Sequence, residues 1–327
     1  MKSTAIANSN IALIKYWGKA NEELFLPMNS SISMTLDNLN TKTTVEFSKD
    51  FTKDMIEING KYGDDKTESR IVRQLDLIRR IARTNLKAKV ATEFNFPVAA
   101  GLASSASASA SLTLATCSAL GLNLDKRQLS ILARQGSGSS CRSVYGGYVK
   151  WLKAYNSENS YAVQIADENH FDIRDVIAIV SKGTKPISSR DGMRVTVETS
   201  PLYKARLNSV ENSLKLMEKA ILDRDFETIG KLAEADCLSM HATMITSKPS
   251  LLYWEPSTIR LMKAVEEWRN DGMGVYFTID AGPNVHMLTL PKDAKEVENR
   301  LKEMSEVIDV ISSKPGSDAK TTNRHSY

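Results

Sequence analysis

Short β-branched runs set off by polar residues dominate the first half of the chain. Thr43 to Phe47, Lys89 to Phe96, Tyr161 to Ile165 and Arg174 to Val180 are each bounded by polar, Gly or Pro residues, which predicts strands. Long helical patterns are sparse among them. From about Lys204 the period changes: Leu207, Val210, Leu214, Met217 and Ile221 recur at steps of three and four, the stripe of a helix with one buried face. Ile259, Met262, Val265 and Trp268 repeat the pattern, as do Ala294, Val297, Leu301 and Met304. Apolar runs at Gly274 to Ile279, Val285 to Leu290 and Val307 to Ile311 lie between or after these helices, so the second half alternates helix and strand. Lys182, Gly183, Pro186, Ser188 and Ser189 cluster near the change of character, and a boundary is expected there, dividing residues 1–185 from 186–327. The polar tail from Ser312 is expected to fray at its end.

Composition narrows the class. The 327 residues are 42% apolar and 25% charged, ordinary values for a globular chain of one or two domains. The formal charge of +4 is small, with Lys and Arg interleaved among Asp and Glu, so no nucleic-acid partner is implied. The opening MKSTAIANSNIALIKYW breaks its apolar residues with Asn and Ser and falls short of the ~20 apolar residues of a membrane span, so the chain is expected to stay in the cytoplasm, off the membrane. Cys117, Cys141 and Cys237 are too few and too far apart for a disulfide framework or a CxxC zinc site, and read as small buried thiols. His170, His241, His286 and His325 lack HExxH spacing, which argues against a metal held by imidazoles.

One stretch carries chemistry. In FPVAAGLASSASASASL (Phe96 to Leu112) a strand ends, Pro97 breaks it, and small residues follow almost without interruption. Small side chains let the backbone approach a bulky anion. A helix opening at Ser104 and Ser105 would turn its unpaired N–H groups and positive dipole end toward that anion. A run of Gly, Ala and Ser is more often a linker or a tightly packed helix. The strict order of strand, Pro, Gly, Ser-Ser and helix favours the phosphate loop. It is not a Walker A loop, since no Gly-Lys-Ser/Thr follows.

PVAAGLASS (Pro97 to Ser105) resembles the nucleotide loop of the galactokinase, homoserine kinase, mevalonate kinase and phosphomevalonate kinase superfamily. NIALIKYWGK (Asn10 to Lys19), LPMNSSISMTLD (Leu26 to Asp37), GSGSSCRSVYGGYVKW (Gly136 to Trp151) and TIDAGPN (Thr278 to Asn284) narrow the resemblance to the diphosphomevalonate decarboxylase family, from about residue 5 to about residue 290. The resemblance implies a two-domain α/β (α+β) fold: an N-terminal sheet-and-helix domain that binds nucleotide and substrate, a ferredoxin-like C-terminal domain, and an active site in the cleft between. It also implies a homodimer. The implied reaction is ATP-dependent decarboxylation of mevalonate 5-diphosphate to isopentenyl diphosphate. The tertiary alcohol is phosphorylated first, because hydroxide leaves poorly, and loss of phosphate and CO2 follows.

The roles carried over are these. Asp280 orients or deprotonates the 3-hydroxyl, although an Asp before Gly-Pro more commonly caps a turn. Lys15 stabilises charge beside it. Strand alternation would point Lys15 and Trp17 to one face and Tyr16 to the other. Arg142 anchors the substrate as the third catalytic residue, its planar fork matching a carboxylate or phosphate. Tyr16, Lys19, Ser137, Gly138, Ser139 and Arg190 complete the substrate site. Ala100, Gly101, Leu102, Ala103, Ser104, Ser105 and Ser189 face ATP. No acidic residue in SASASASLTLATCSALGL (Ser105 to Leu122) matches the magnesium-holding residue of related kinases, so Mg2+ is expected through phosphate oxygens, hydroxyls and water, with no protein ligand assigned. A phosphomevalonate decarboxylase, a mevalonate 3-kinase-type enzyme and a non-catalytic ligand-binding relative remain as alternatives.

Overall fold

The computed structural model describes residues 1–97, 102–183 and 187–327. The first half forms a mixed sheet of eight strands: β1 (Lys2–Ile14), β4 (Ser31–Ser48), β5 (Met55–Ile58), β6 (Lys61–Tyr62), β7 (Lys87–Phe94), β8 (Tyr148–Trp151), β9 (Ala162–Ala166) and, from the far end of the chain, β14 (Lys320–Thr322). A small hairpin of β2 (Lys19–Asn21) and β3 (Leu26–Pro27) stands beside it. β4 is the spine: β1 runs antiparallel along it, β7 pairs its second half from Thr41 to Ser48, and β8 pairs its start from Ser31 to Met34.

Helix α2 (Ser104–Ala119) lies on this sheet, with α1 (Asp65–Ala82) and α3 (Lys126–Gly136) against it. Its Ala and Ser side chains permit the close approach. Thr41 and Thr43 of β4 meet Ser107 and Ser111 of α2 at 2.7 and 2.8 Å, so the buried hydroxyls of both elements are paired. Helix α1 escaped the sequence reading: Ile71, Leu75 and Ile78 recur at steps of four and three, but charged residues break the stripe. Asp64 caps it, its carboxylate accepting the Thr67 N–H at 2.7 Å.

The tail differs from expectation. β14 pairs antiparallel with β1 (Thr4 opposite Thr322), Ser326 donates its N–H to Thr44 Oγ1 at 3.0 Å, and the Tyr327 hydroxyl donates to the Lys89 carbonyl at 2.8 Å. Its Thr residues cover a sheet edge that would otherwise leave backbone groups unpaired.

The second sheet orders β11 (Val275–Thr278), β12 (Val285–Thr289), β10 (Arg174–Ile179) and β13 (Asp309–Ser313), all antiparallel. Among the described residues, four helices separate β10 from β11: α4 (Ser189–Thr199), α5 (Tyr203–Asp223), α6 (Phe226–Ile245) and α7 (Pro256–Asn270). α8 (Pro291–Glu303) separates β12 from β13. Strand order two-three-one-four with these crossovers is the ferredoxin-like arrangement. The boundary expected at residues 185 and 186 lies outside the described residues; β10, before it, belongs to this sheet.

One face of the second sheet (Val176, Ala178, Phe277, Met287) packs on α7 and α8 through Leu261, Val265, Val297 and Leu301. Ile259, read into the α7 stripe, is instead 47% exposed; Leu261 takes the inward place. The other face (Ile177, Ile179, Leu288) meets Val210, Leu214, Met217 and Ile221 of the expected α5 stripe, whose first member, Leu207, packs instead with the cluster of Trp17 and Tyr253; the same core continues into Ile11, Leu13, Ile14 and Met34 of the first sheet. Helices α5 and α6 are therefore shared packing between the two sheets.

Candidate active site

A cavity of about 640 Å3 opens where the two halves meet. Every expected site residue among the described residues lines it: Lys15, Tyr16, Lys19, Leu102, Ala103, Ser104, Ser105, Ser137, Gly138, Ser139, Arg142, Ser189, Arg190 and Asp280. Ala100 and Gly101 lie outside the described residues. The expected alternation of Lys15, Tyr16 and Trp17 fails, since all three line the cavity. β1 ends at Ile14, and the chain then leaves the pleat and turns at Gly18, whose φ of +106° suits glycine and whose Cβ would collide with the Tyr203 hydroxyl.

On one wall, α2 presents its N-terminus. Ala103 takes the cap position in the left-handed region (φ 50°), and among the described residues no side chain caps the helix. Ala106 spends its N–H on the Ala103 carbonyl at 2.8 Å, whereas the N–H groups of Ser104 and Ser105 precede any carbonyl of their own helix that they could bond and are suited to an anion. Ser105 Oγ lies 3.2 Å from Ser137 Oγ, which joins this wall to the second small-residue loop. Beyond the helix end, Ile58, Ile71, Phe94 and Leu112 give the cavity an apolar side.

On the floor, Lys15 Nζ donates to Asp280 Oδ1 at 2.7 Å. The ammonium is buried, whereas the carboxylate side chain keeps 27% exposure to the cavity. Burial pushes the Asp280 carboxyl up, but the charge and hydrogen bond of Lys15, with His286 and Arg142 behind them, outweigh this and hold it below the usual carboxylate range. Arg142 is buried too. Its Nε donates to Ser33 Oγ at 2.8 Å, Nη1 to Ser31 Oγ at 2.5 Å and Nη2 to Asn10 Oδ1 at 3.1 Å. Burial lowers the pKa of this guanidinium. All three acceptors are neutral, so beyond the nearby Asp280 charge the guanidinium is solvated and not cancelled, which suits it to an anionic ligand group. Tyr16 packs edge-on against Trp151 (4.6 Å between centroids), and its buried hydroxyl has no partner among the described residues.

At the far end, cations converge on Phe25. Lys19 Nζ lies 4.9 Å from the ring centroid, and the guanidinium carbons of Arg73 and Arg190 lie 5.1 Å from it. Lys19 pairs with Glu22. Burial, and then the charges of Arg190 and Arg73, lower the Lys19 pKa; burial and the Arg190 charge do the same to Arg70 and Arg73. Such mutual repulsion is relieved by a polyanion. Arg70 and Arg73, on α1, and Phe25 were missed in the sequence: nothing in their spacing separates them from solvated surface residues. No group of three His, Cys, Asp or Glu converges on a metal-sized site among the described residues.

A helix that turns its N-terminus into a cleft between a mixed sheet and a ferredoxin-like layer is the architecture of the small-molecule kinases to which the loop motif pointed. Comparison narrows this. The model of the diphosphomevalonate decarboxylase-like N-terminal domain matches residues 7–162, and that of the mevalonate 5-diphosphate decarboxylase C-terminal domain matches residues 175–325. Human diphosphomevalonate decarboxylase is 40% identical over 315 residues, covering 90% of this chain and 78% of that protein. Among solved structures, mevalonate diphosphate decarboxylase from Staphylococcus aureus superposes with a TM-score of 0.93 at 38% identity, covering 98% of both chains. MDDEF, solved in complex with MVAPP, AMPPCP and magnesium, reaches 0.93 at 41% identity, covering 98% of this chain and 99% of the other. The chain belongs to the diphosphomevalonate decarboxylase family.

Proposed function

We propose that the chain catalyses ATP-dependent decarboxylation of mevalonate 5-diphosphate to isopentenyl diphosphate, with release of ADP, phosphate and CO2. The observation that carries this reading is the Lys15–Asp280 pair, which lies in one cavity with a phosphate-ready helix end and a cluster of cations. The α2 N-terminus with Ser104, Ser105 and Ser189 receives the ATP phosphates, and the apolar side receives the base. Tyr16, Lys19, Arg190, Arg70 and Arg73 hold the substrate diphosphate. Ser139 and Arg142 hold its carboxylate.

Asp280 is held below the usual carboxylate range, which makes it a weak base for a tertiary alcohol. Its part is therefore to accept the hydrogen bond of the 3-hydroxyl, aim the oxygen at the γ-phosphorus, and take the proton as the O–P bond forms. Lys15 balances the charge on the transferring group. When C3–O then breaks, phosphate leaves with the bonding electrons. The C1–C2 bond breaks to release CO2, and its electrons become the C2–C3 double bond. Arg142, deep and fixed, keeps the carboxylate aligned for that step. Mg2+ entering with ATP would neutralise phosphate charge; the hydroxyls of Ser105 and Ser137 are hard oxygen donors that suit it.

Several cations at the distal end favour the diphosphate over the monophosphate ester. Comparing kcat/KM for the two esters tests this: a higher value for the diphosphate supports the reading, and a higher value for the monophosphate replaces it with phosphomevalonate decarboxylation. The enzyme is placed in the cytoplasm, where ATP is abundant, and as a homodimer, which elution at twice the chain mass would support.

A further inference from the structure

Helix α6 reaches both halves of the Lys15–Asp280 pair from behind. Asp236 Oδ2 accepts the backbone N–H of Lys15 at 2.7 Å. Arg206, on α5, locks that carboxylate: its Nη2 lies 3.2 Å from Oδ2 and 3.1 Å from Oδ1, and its Nη1 donates to the Asp236 carbonyl at 3.0 Å. The Lys15 carbonyl accepts from Arg206 Nη2 at 3.4 Å and from Asn29 Nδ2 at 3.0 Å. Lys15 lies past the end of β1, so side chains hold its backbone where a sheet partner no longer does.

The next residue of α6 works on the other strand. Ile279, past the end of β11 and directly before Asp280, donates its N–H to Cys237 Sγ at 3.1 Å, and the thiol donates back toward the Ile279 carbonyl at 3.4 Å. One turn on, His241 Nε2 lies 3.3 Å from the same carbonyl. Trp254 stacks on His241 with centroids 4.5 Å apart, and burial pushes the imidazole down to about 3. It is therefore neutral near pH 7, donates through Nε2, and adds no charge beside Lys15. Arg206, Asp236, Cys237 and His241 are all buried, and none of them lines the cavity.

Packing alone does not call for this arrangement. An apolar face would fill the space between the sheets as well, whereas a buried Arg–Asp pair carries a desolvation penalty and often gains no net stability over hydrophobic replacements. What it does fix is a distance between two groups on separate sheets. We propose that α6 is the positioning element of the reactive pair: Asp236, held by Arg206, sets Lys15, and Cys237 with His241 sets Asp280. This rests on the catalytic reading of Lys15 and Asp280 given above.

The test is steady-state kinetics on the full chain with Asp236→Asn and Cys237→Val, beside Asp280→Asn, with thermal melts and direct binding of mevalonate 5-diphosphate for each. Displacement of the pair should lower kcat by about ten- to a hundred-fold in both α6 variants, with the Kd for the ester changed by less than about two-fold. The acid limb of kcat should move to higher pH, because Asp280 loses part of the Lys15 charge that lowers it. Cys237→Ser, which keeps a donor and an acceptor in place, should recover most of the rate, and Arg206→Lys supplies a charge-conserving variant if Asp236→Asn does not fold. A parallel loss of kcat, affinity and melting temperature with an unmoved acid limb would make α6 a structural support only and overturn the proposal. Wild-type kcat in the α6 variants beside an inactive Asp280→Asn would overturn it too, leaving the catalytic reading intact. An active Asp280→Asn would overturn both.

Discussion

Lys15 and Asp280, 265 positions apart, meet through a 2.7 Å hydrogen bond at the seam between the two sheets. The carboxylate is the partly exposed member and the ammonium the buried one, so the pair offers its oxygen to a ligand and keeps its cation in reserve. Asp280→Asn keeps the shape and removes the charge. Turnover should fall by roughly two orders of magnitude or more, with ATP binding little changed, the scale of a lost catalytic acid or base. Kinetics beside nucleotide titration checks this, and near-normal turnover would contradict it.

Acid stability should carry the mark of His241. Burial holds its folded-state pKa at about 3, below the unfolded value, so the unfolded chain takes up a proton that the native one refuses. Its contribution is present above about pH 6.5 and declines as pH falls, by up to about 1.4 kcal/mol per pH unit between the two values. Asp280, also depressed when folded, adds a decline only from about pH 4 downward. Denaturant unfolding across pH should therefore show a slope beginning near neutrality in the wild type. In His241→Gln that slope should start closer to pH 4.

Ser105 tests the phosphate wall. A bulky side chain there, as in Ser105→Leu, would keep the α2 N–H groups from approaching the nucleotide phosphates. The KM for ATP should rise about ten-fold, the loss of a charge-assisted contact or so, at saturating second substrate. An unchanged ATP requirement would count against the wall.

At the distal end, Arg190→Ala removes a contact made equally in the ground state and the transition state. It should chiefly raise the substrate KM, by about ten-fold or more, because a charge-assisted hydrogen bond contributes roughly 1.5 to 3 kcal/mol. Preference for the diphosphate over the monophosphate should shrink with it. Arg73→Ala should act in the same direction, since both guanidinium groups face Phe25. Losing Arg190 should also raise the Lys19 pKa, which its charge now lowers. An unaltered preference in both variants would mean that this cluster does not select the substrate.

The parts of this site legible in the sequence are those written in local patterns: the small-residue run that becomes the sheet-hugging helix α2, the α5 stripe, and the motif residues that line one cavity. What stayed hidden depends on long-range packing. Arg73 matters through a ring 48 residues away and Arg70 through the charge of Arg190, and α1 itself was masked by charges that the cavity uses. The Asp236–Lys15 contact spans 221 positions, and no local spacing encodes it. The polar tail read as frayed because its strand is specified by an edge at the opposite end of the chain.

ADP and CO2 measured together from one reaction with mevalonate 5-diphosphate test the central claim most directly. The account predicts equal amounts of the two from the wild type, and loss of both in Asp280→Asn. ADP without CO2 would make the chain a 3-kinase, and neither product from the wild type would contradict catalysis altogether.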